Sequence, residues 1–320
     1  MQGEGVAPIS LLPPGATCTG STLRIPLQNR VPLRIEHIDA SILTLVPLCV
    51  DGHGPFPFVL DTGAPSTLFD THFLDFVRLG ADAPPEILHQ PGCATVLLHV
   101  SVPRWSVGPV GLNTQSVAVV RMPGFGLSGQ PMGLLGSDVL SRFGAIRIDY
   151  LARLLTVAGP EGPPPSPGGS VNGPTADTVP PDMLSPGTGT PIPVDVTTSA
   201  SGTSVVAPVS FGTRGPFLFD VASGAPVSEA SAQLAARLGL AKTGRSLPVT
   251  SLGCPRDGQV VASGPWASGS VPLRSGPIVA ALSETSSPGA EGLIGSKTLS
   301  ARGSFVLDYR SGSLVLGAGS

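Results

Sequence analysis

Phe58-Val59-Leu60-Asp61-Thr62-Gly63-Ala64 is a short apolar run that ends on an acid, a hydroxyl and a glycine. An apolar run closing at a Gly-containing turn reads as a buried strand that delivers the Asp61 carboxylate to a tight turn. The tripeptide alone carries little, because an Asp-Thr/Ser-Gly sequence arises by chance in roughly one chain of this size in six or seven. Its surroundings carry more. Gly133-Leu134-Leu135-Gly136-Ser137-Asp138-Val139-Leu140 follows later, and the whole unit occurs twice.

A shift of 161 residues lays the second half on the first. Val31-Pro32-Leu33 falls on Ile192-Pro193-Val194, Gly54-Pro55-Phe56 on Gly215-Pro216-Phe217, and Gly92-Cys93 on Gly253-Cys254. The only two tryptophans, Trp105 and Trp266, keep the same shift. With a shift of 159, Gly133-Leu134-Leu135-Gly136-Ser137 meets Gly292-Leu293-Ile294-Gly295-Ser296, and the two tyrosines align within Ile148-Asp149-Tyr150 and Leu307-Asp308-Tyr309. Two copies of about 125 residues predict two similar lobes about a pseudo-twofold axis, since solenoids need three or more repeats. The expected division is an N-terminal arm at 1–30, a first lobe at 31–158, a linker at 159–191 and a second lobe at 192–320. The linker, Gly159 to Pro191, holds ten prolines and seven glycines in 33 residues and predicts an exposed segment without regular structure.

Composition points the same way. Glycine and proline supply 42 and 36 of 320 residues while 12% are charged, which favours short strands and many turns over long solvated helices. A mostly β fold with brief helices is expected. In the second half Ser228 is the expected cap of one such helix, with Glu229 in its first turn, Leu234 and Leu238 on one face and Gly239 at its end. Asp70, Phe73, Val77 and Gly80 are the counterparts in the first half. A net charge of −3 with no Lys/Arg cluster argues against nucleic acid as a partner. No apolar stretch reaches the ~20 residues of a membrane helix, and Met1 to Glu4, with no basic segment and no continuous apolar core after them, predict no secretory signal. Few charges, two lysines and four cysteines suit an extracytoplasmic or secreted protein.

The combination of Asp61-Thr62-Gly63-Ala64, the later Gly-Leu-Leu-Gly-Ser element and the duplication resembles the pepsin/retropepsin-like aspartic protease superfamily, most closely its bacterial retropepsin-like group. The resemblance covers Val31 to Val157 and Ile192 to Gly317. It implies an all-β, bilobal fold with a peptide cleft between the lobes, and aspartic endopeptidase chemistry on a peptide or protein substrate with no cofactor and no metal. Two aspartates facing each other cannot both ionise at close range, so one activates a water while the other, protonated, donates to the peptide carbonyl. Asp61 is one of the pair. Aligned without gaps, Asp61-Thr62-Gly63-Ala64-Pro65 meets Ala222-Ser223-Gly224-Ala225-Pro226, so the position of the second aspartate holds Ala222. Thr62, Gly63, Ser223 and Gly224 keep the supporting turns.

The chain as written is therefore expected to be inactive, through natural loss or replacement of the second aspartate, and the sequence leaves both open. A non-catalytic peptide-binding module is the rival reading. Asp220, two residues earlier, would face the same way but cannot replace position 222 without breaking the match at Gly224. Without a second carboxylate, Asp61 should titrate as a single acid at low pH. Asp138 is expected to cap a short helix, while Asp149 and Asp308 are expected to be structural. The five histidines share no ligand spacing. Trp105 and Trp266 should anchor equivalent cores. If Cys93 and Cys254 lie near the dyad they could bridge the halves, leaving Cys18 with Cys49; three connectivities exist for four cysteines. The second lobe competes for the surface a partner copy would need, so a monomer is expected.

Overall fold

The computed structural model describes residues 18–19, 22–23, 29–38, 41–90, 93–122, 130–159, 162, 170–171, 189–251, 254–281 and 287–319. Two large sheets make up most of the fold, and their central strands repeat the same elements in the same order. In the first, Ser41–Val50 pairs antiparallel with His53–Leu60, which pairs parallel with Gly133–Leu135. That strand in turn pairs antiparallel with Leu68–Asp70. In the second, Gly202–Phe211, Arg214–Ala222, Gly292–Gly295 and Glu229–Ser231 repeat the arrangement. The expected all-β, bilobal architecture is what the structure has.

A third, six-stranded sheet joins the lobes. Ala145–Asp149 runs antiparallel to Ser304–Asp308 in the register Ala145↔Asp308, Arg147↔Val306 and Asp149↔Ser304. Residues 147 and 306 are equivalents at the 159 shift, so each flank of this pairing is the repeat image of the other. The pseudo-twofold axis runs between Arg147 and Val306. Leu154–Val157 and Ser313–Leu316 continue the sheet outward on either side.

One main apolar core spans both lobes. In the first, Phe58, Phe69 and Phe73 meet edge to face with centroids 4.8–5.4 Å apart, a favoured geometry for ring quadrupoles. Trp105 and Trp266 are buried anchors as expected. Their indole N–H groups donate to the carbonyls of Asn113 (2.8 Å) and Arg274 (2.9 Å), again equivalent residues.

The helical expectations need two corrections. Ser228 does not cap the second-lobe helix. That helix is Ala232–Leu238, capped by Ser231, whose Oγ accepts from Leu234 N, and closed by Gly239 at φ +65°. Glu229 therefore stands in a strand rather than a first helical turn, because parallel pairing of Glu229–Ser231 with Pro277–Ala281 claims those residues first. Asp70 does cap its shorter counterpart, the 3-10 helix Thr71–Asp75, accepting from His72 N at 2.8 Å. Asp138 caps nothing. Helix Ser137–Leu140 begins after Gly136, and the Asp138 carboxylate instead accepts from Thr67 N and Thr67 Oγ1, both at 2.8 Å. Asp149 and Asp308 accept turn N–H groups, from Ala152 and from Arg310 and Ser311.

Within the expected linker, Ser170–Val171 departs from the absence of regular structure by pairing with Val196 and Thr197 at a sheet edge; 160–161, 163–169 and 172–188 lie outside the described residues. Cys18 and Cys49 form a disulfide across 31 residues, which ties the N-terminal arm to strand Ser41–Val50. The side chains of Cys93 and Cys254 lie outside the described residues. Closing a loop of that length limits the unfolded chain, so the Cys18→Ser/Cys49→Ser pair should lose roughly 3–4 kcal/mol of stability in urea denaturation.

Candidate active site

Strand His53–Leu60 ends at Asp61, whose N–H is held by the Leu135 carbonyl (3.0 Å). Parallel pairing with Gly133–Leu135 thus fixes where the carboxylate emerges. The Gly-Ser at the end of each central strand, Gly136-Ser137 and Gly295-Ser296, locks the turn. Ser137 N donates to the Ala64 carbonyl and Ser296 N to the Ala225 carbonyl, both at 2.8 Å. Gly136 and Gly295 are required by close approach, since a Cβ on either would lie 2.6 Å from Ser66 C or 2.2 Å from Val227 O.

The two turns grip each other across the axis. Thr62 Oγ1 donates to the Val221 carbonyl (2.6 Å) and accepts from Ser223 N (3.2 Å). Ser223 Oγ donates to the Leu60 carbonyl (2.8 Å) and accepts from Thr62 N (3.0 Å). All four bonds are buried and each is the repeat image of another, so the hydroxyls expected to brace the turns do so reciprocally. Beneath them Tyr309 Oη donates to Ser137 Oγ (2.9 Å), which itself donates to the Thr62 carbonyl (2.8 Å).

Asp61 and Ala222 are brought together as the gapless alignment requires. A Cβ on Gly63 would meet Ala222 Cβ at 2.4 Å, and one on Gly224 would meet Asp61 Cβ at 2.4 Å and Cγ at 2.3 Å. Each glycine therefore makes room for the residue of the opposite turn. The inner oxygen of the single carboxylate, Asp61 Oδ1, accepts from Gly63 N (2.8 Å) and, across the axis, from Gly224 N (3.1 Å). A carboxylate at position 222 would occupy the mirror-image seat, its inner oxygen against that of Asp61.

The expectation that Asp61 titrates at low pH is overturned. Burial disfavours the charged form and lifts its pKa above the ordinary aspartate value, and the N–H groups of Gly63, Gly224 and Ala64 offset only part of this. Asp138 is likewise raised by burial against the opposing bonds from Thr67 and Gln115 and the charge of Arg142. Asp220 does not approach the place of the missing aspartate. It is buried one alternation back on Arg214–Ala222, and its Oδ1 accepts from the Ser287 hydroxyl.

Sequence reasoning passed over Glu229. Its carboxyl is buried in strand Glu229–Ser231, where the first lobe has Leu68, and burial pushes its pKa from 4.5 to about 7. Between those values the folded state holds the proton that the unfolded chain has released, so stability falls as pH rises from about 4.5 to 7 and stays low above. Glu229→Gln should flatten that slope, making the protein roughly 3 kcal/mol more stable at pH 8 than the unaltered chain and no more stable at pH 4, as read by urea denaturation at both pH values.

Among the described residues no cluster of three or more His, Cys, Asp or Glu could hold a metal ion, and no helix is long and apolar enough to cross a membrane. Comparison with curated proteins finds none that matches the chain. Residues 46–139 match the family model described as aspartyl protease, a stretch running from strand Ser41–Val50 through Asp61 to helix Ser137–Leu140. That match falls on the first lobe and includes the turn that holds Asp61, so this lobe is similar to the aspartyl protease family, a retropepsin-like family whose likeness supports the pepsin/retropepsin-like superfamily.

Proposed function

We propose that the protein is an aspartic-endopeptidase homologue that seats an extended peptide between its lobes and, with Ala222 at the second aspartate position, binds that peptide without turning it over. The observation that carries this reading is the intact apparatus around a single absent group. The reciprocal Thr62/Ser223 bonds, Gly63 and Gly224 are all present, and only the carboxylate at position 222 is missing. Hydrolysis needs both acids. One takes a proton from the attacking water while the other gives its proton to the peptide oxygen, and the C–N bond then breaks as the amine nitrogen is protonated. Asp61 alone can hold a water or donate a proton; it cannot do both at once.

The direct test is Ala222→Asp assayed against denatured protein and mixed peptides from pH 3 to 7. New cleavage that depends on Asp61 supports the reading, and absence of cleavage across that range contradicts it. A peptide-binding module that never catalysed would bind peptide equally well but gain nothing from the substitution. The Cys18–Cys49 disulfide supports an oxidising, extracytoplasmic setting. The protein acts as a monomer in this reading, because the second lobe already supplies the turn that a second copy would bring.

A further inference from the structure

Strand alternation extends the face on which Ala222 stands across the second lobe's sheet. Asp220 shares that face. Its cross-strand partners are Val206 and Leu293, Leu293 is also paired with Glu229, and Glu229 with Val279. Directly paired residues point the same way, so these five form one row, a single alternation back from the position opposite Asp61. The first lobe's row in the same register is Leu45, Val59, Leu134, Leu68 and Ala118. One lobe thus lines this face entirely with apolar groups. The other has carboxylic acids in place of Val59 and Leu68.

Neither acid is an ordinary surface charge, with Asp220 2% and Glu229 8% exposed. Asp220 is bonded by Ser287. Among the described residues no side chain bonds the Glu229 carboxyl, and no neighbouring cation offsets its burial. A carboxyl held at low exposure without a partner costs a fold stability, and groups in that state cluster at functional sites. The main core lies on the opposite face, through Phe219, Val221, Ala230 and Ile294, so the acids face away from it, on the side of the Asp61/Ala222 position.

We propose that Glu229, with Asp220 beside it, forms a subsite on the second lobe for a cationic side chain, Lys or Arg, of the bound peptide, while on the first lobe the half-buried Leu134 and Ala118, backed by Leu45 and Val59, take an apolar residue on the other side of the scissile bond. This rests on the reading of the inter-lobe face as a peptide site. The two acids stand two strands apart, about 10 Å between backbones. A long Lys or Arg stem can lie over Leu293 and place its charged head against Glu229.

The test uses the unaltered chain and fluorescently labelled octapeptides that differ only in carrying Lys, Arg, Leu or norleucine at one central position, with binding read by anisotropy. Lys and Arg peptides should bind roughly ten-fold more tightly than the Leu peptide, as one charge-assisted contact allows. Glu229→Leu, which installs the first lobe's residue, and Glu229→Gln, which keeps the shape, should each abolish that preference while leaving affinity for the Leu peptide within about two-fold. Equal binding of cationic and apolar peptides by the unaltered chain, or a preference that survives both substitutions, overturns the subsite alone. Failure of every peptide to bind overturns the peptide-site reading and the subsite with it.

Discussion

Ala222→Asp should raise peptide hydrolysis at acid pH by about three orders of magnitude over the unaltered chain, the scale that a correctly placed acid/base partner contributes. The physical case rests on space and on the hydrogen-bond cradle. Ala222 Cβ already sits over Gly63 as Asp61 Cβ sits over Gly224, so the added carboxyl needs no movement of either turn. Gly224 N reaches across to Asp61 Oδ1, and Gly63 N is placed to serve the new carboxylate in the same way. Asp61→Asn in the Ala222→Asp chain should return activity to background while shifting the melting temperature by only a few degrees. A large loss of stability from that change would make Asp61 a turn residue and not a catalytic one.

The second large effect concerns the grip between the turns. Thr62 and Ser223 are fully buried, and each hydroxyl both donates and accepts across the axis. Thr62→Val preserves shape but strands the Val221 carbonyl and the Ser223 N–H without partners. Buried polar groups left unpaired cost 1–3 kcal/mol each, so a loss of roughly 2–4 kcal/mol is expected in urea denaturation. Ser223→Ala should cost a similar amount. Because the two hydroxyls belong to one network, the double variant should lose less than the sum of the singles.

What the sequence revealed and what it concealed separate along a physical line. The duplicated turns, the strands that feed them and the equivalent tryptophans were legible because each depends on local pattern and on one shift between the halves. Ser228 reads as a helix cap because a cap is a local signal, whereas strand Glu229–Ser231 exists through pairing with Pro277–Ala281 and Gly292–Gly295, some fifty and sixty residues away. Asp138 looked like a cap for the same reason, yet Thr67, distant in sequence, supplies its partners. The low titration expected of Asp61 considered its hydrogen bonds and omitted its burial, which is a property of the assembled lobes. Glu229 gave one signal that could have been found: at the 161 shift it falls on Leu68, a charge opposite an apolar residue inside a strand.

The most direct test of the central claim, that position 222 is the seat of a missing catalytic carboxylate, is the titration of the Asp61 carboxyl followed by carbon-13 NMR in the unaltered chain and in the Ala222→Asp chain. The unaltered chain should show one step, displaced upward from the ordinary aspartate value by burial. The Ala222→Asp chain should show two coupled steps, the second raised further, as two carboxyls sharing one proton require. An Asp61 titration that does not respond to the new carboxylate would mean that the two positions do not form a dyad, and would contradict the account.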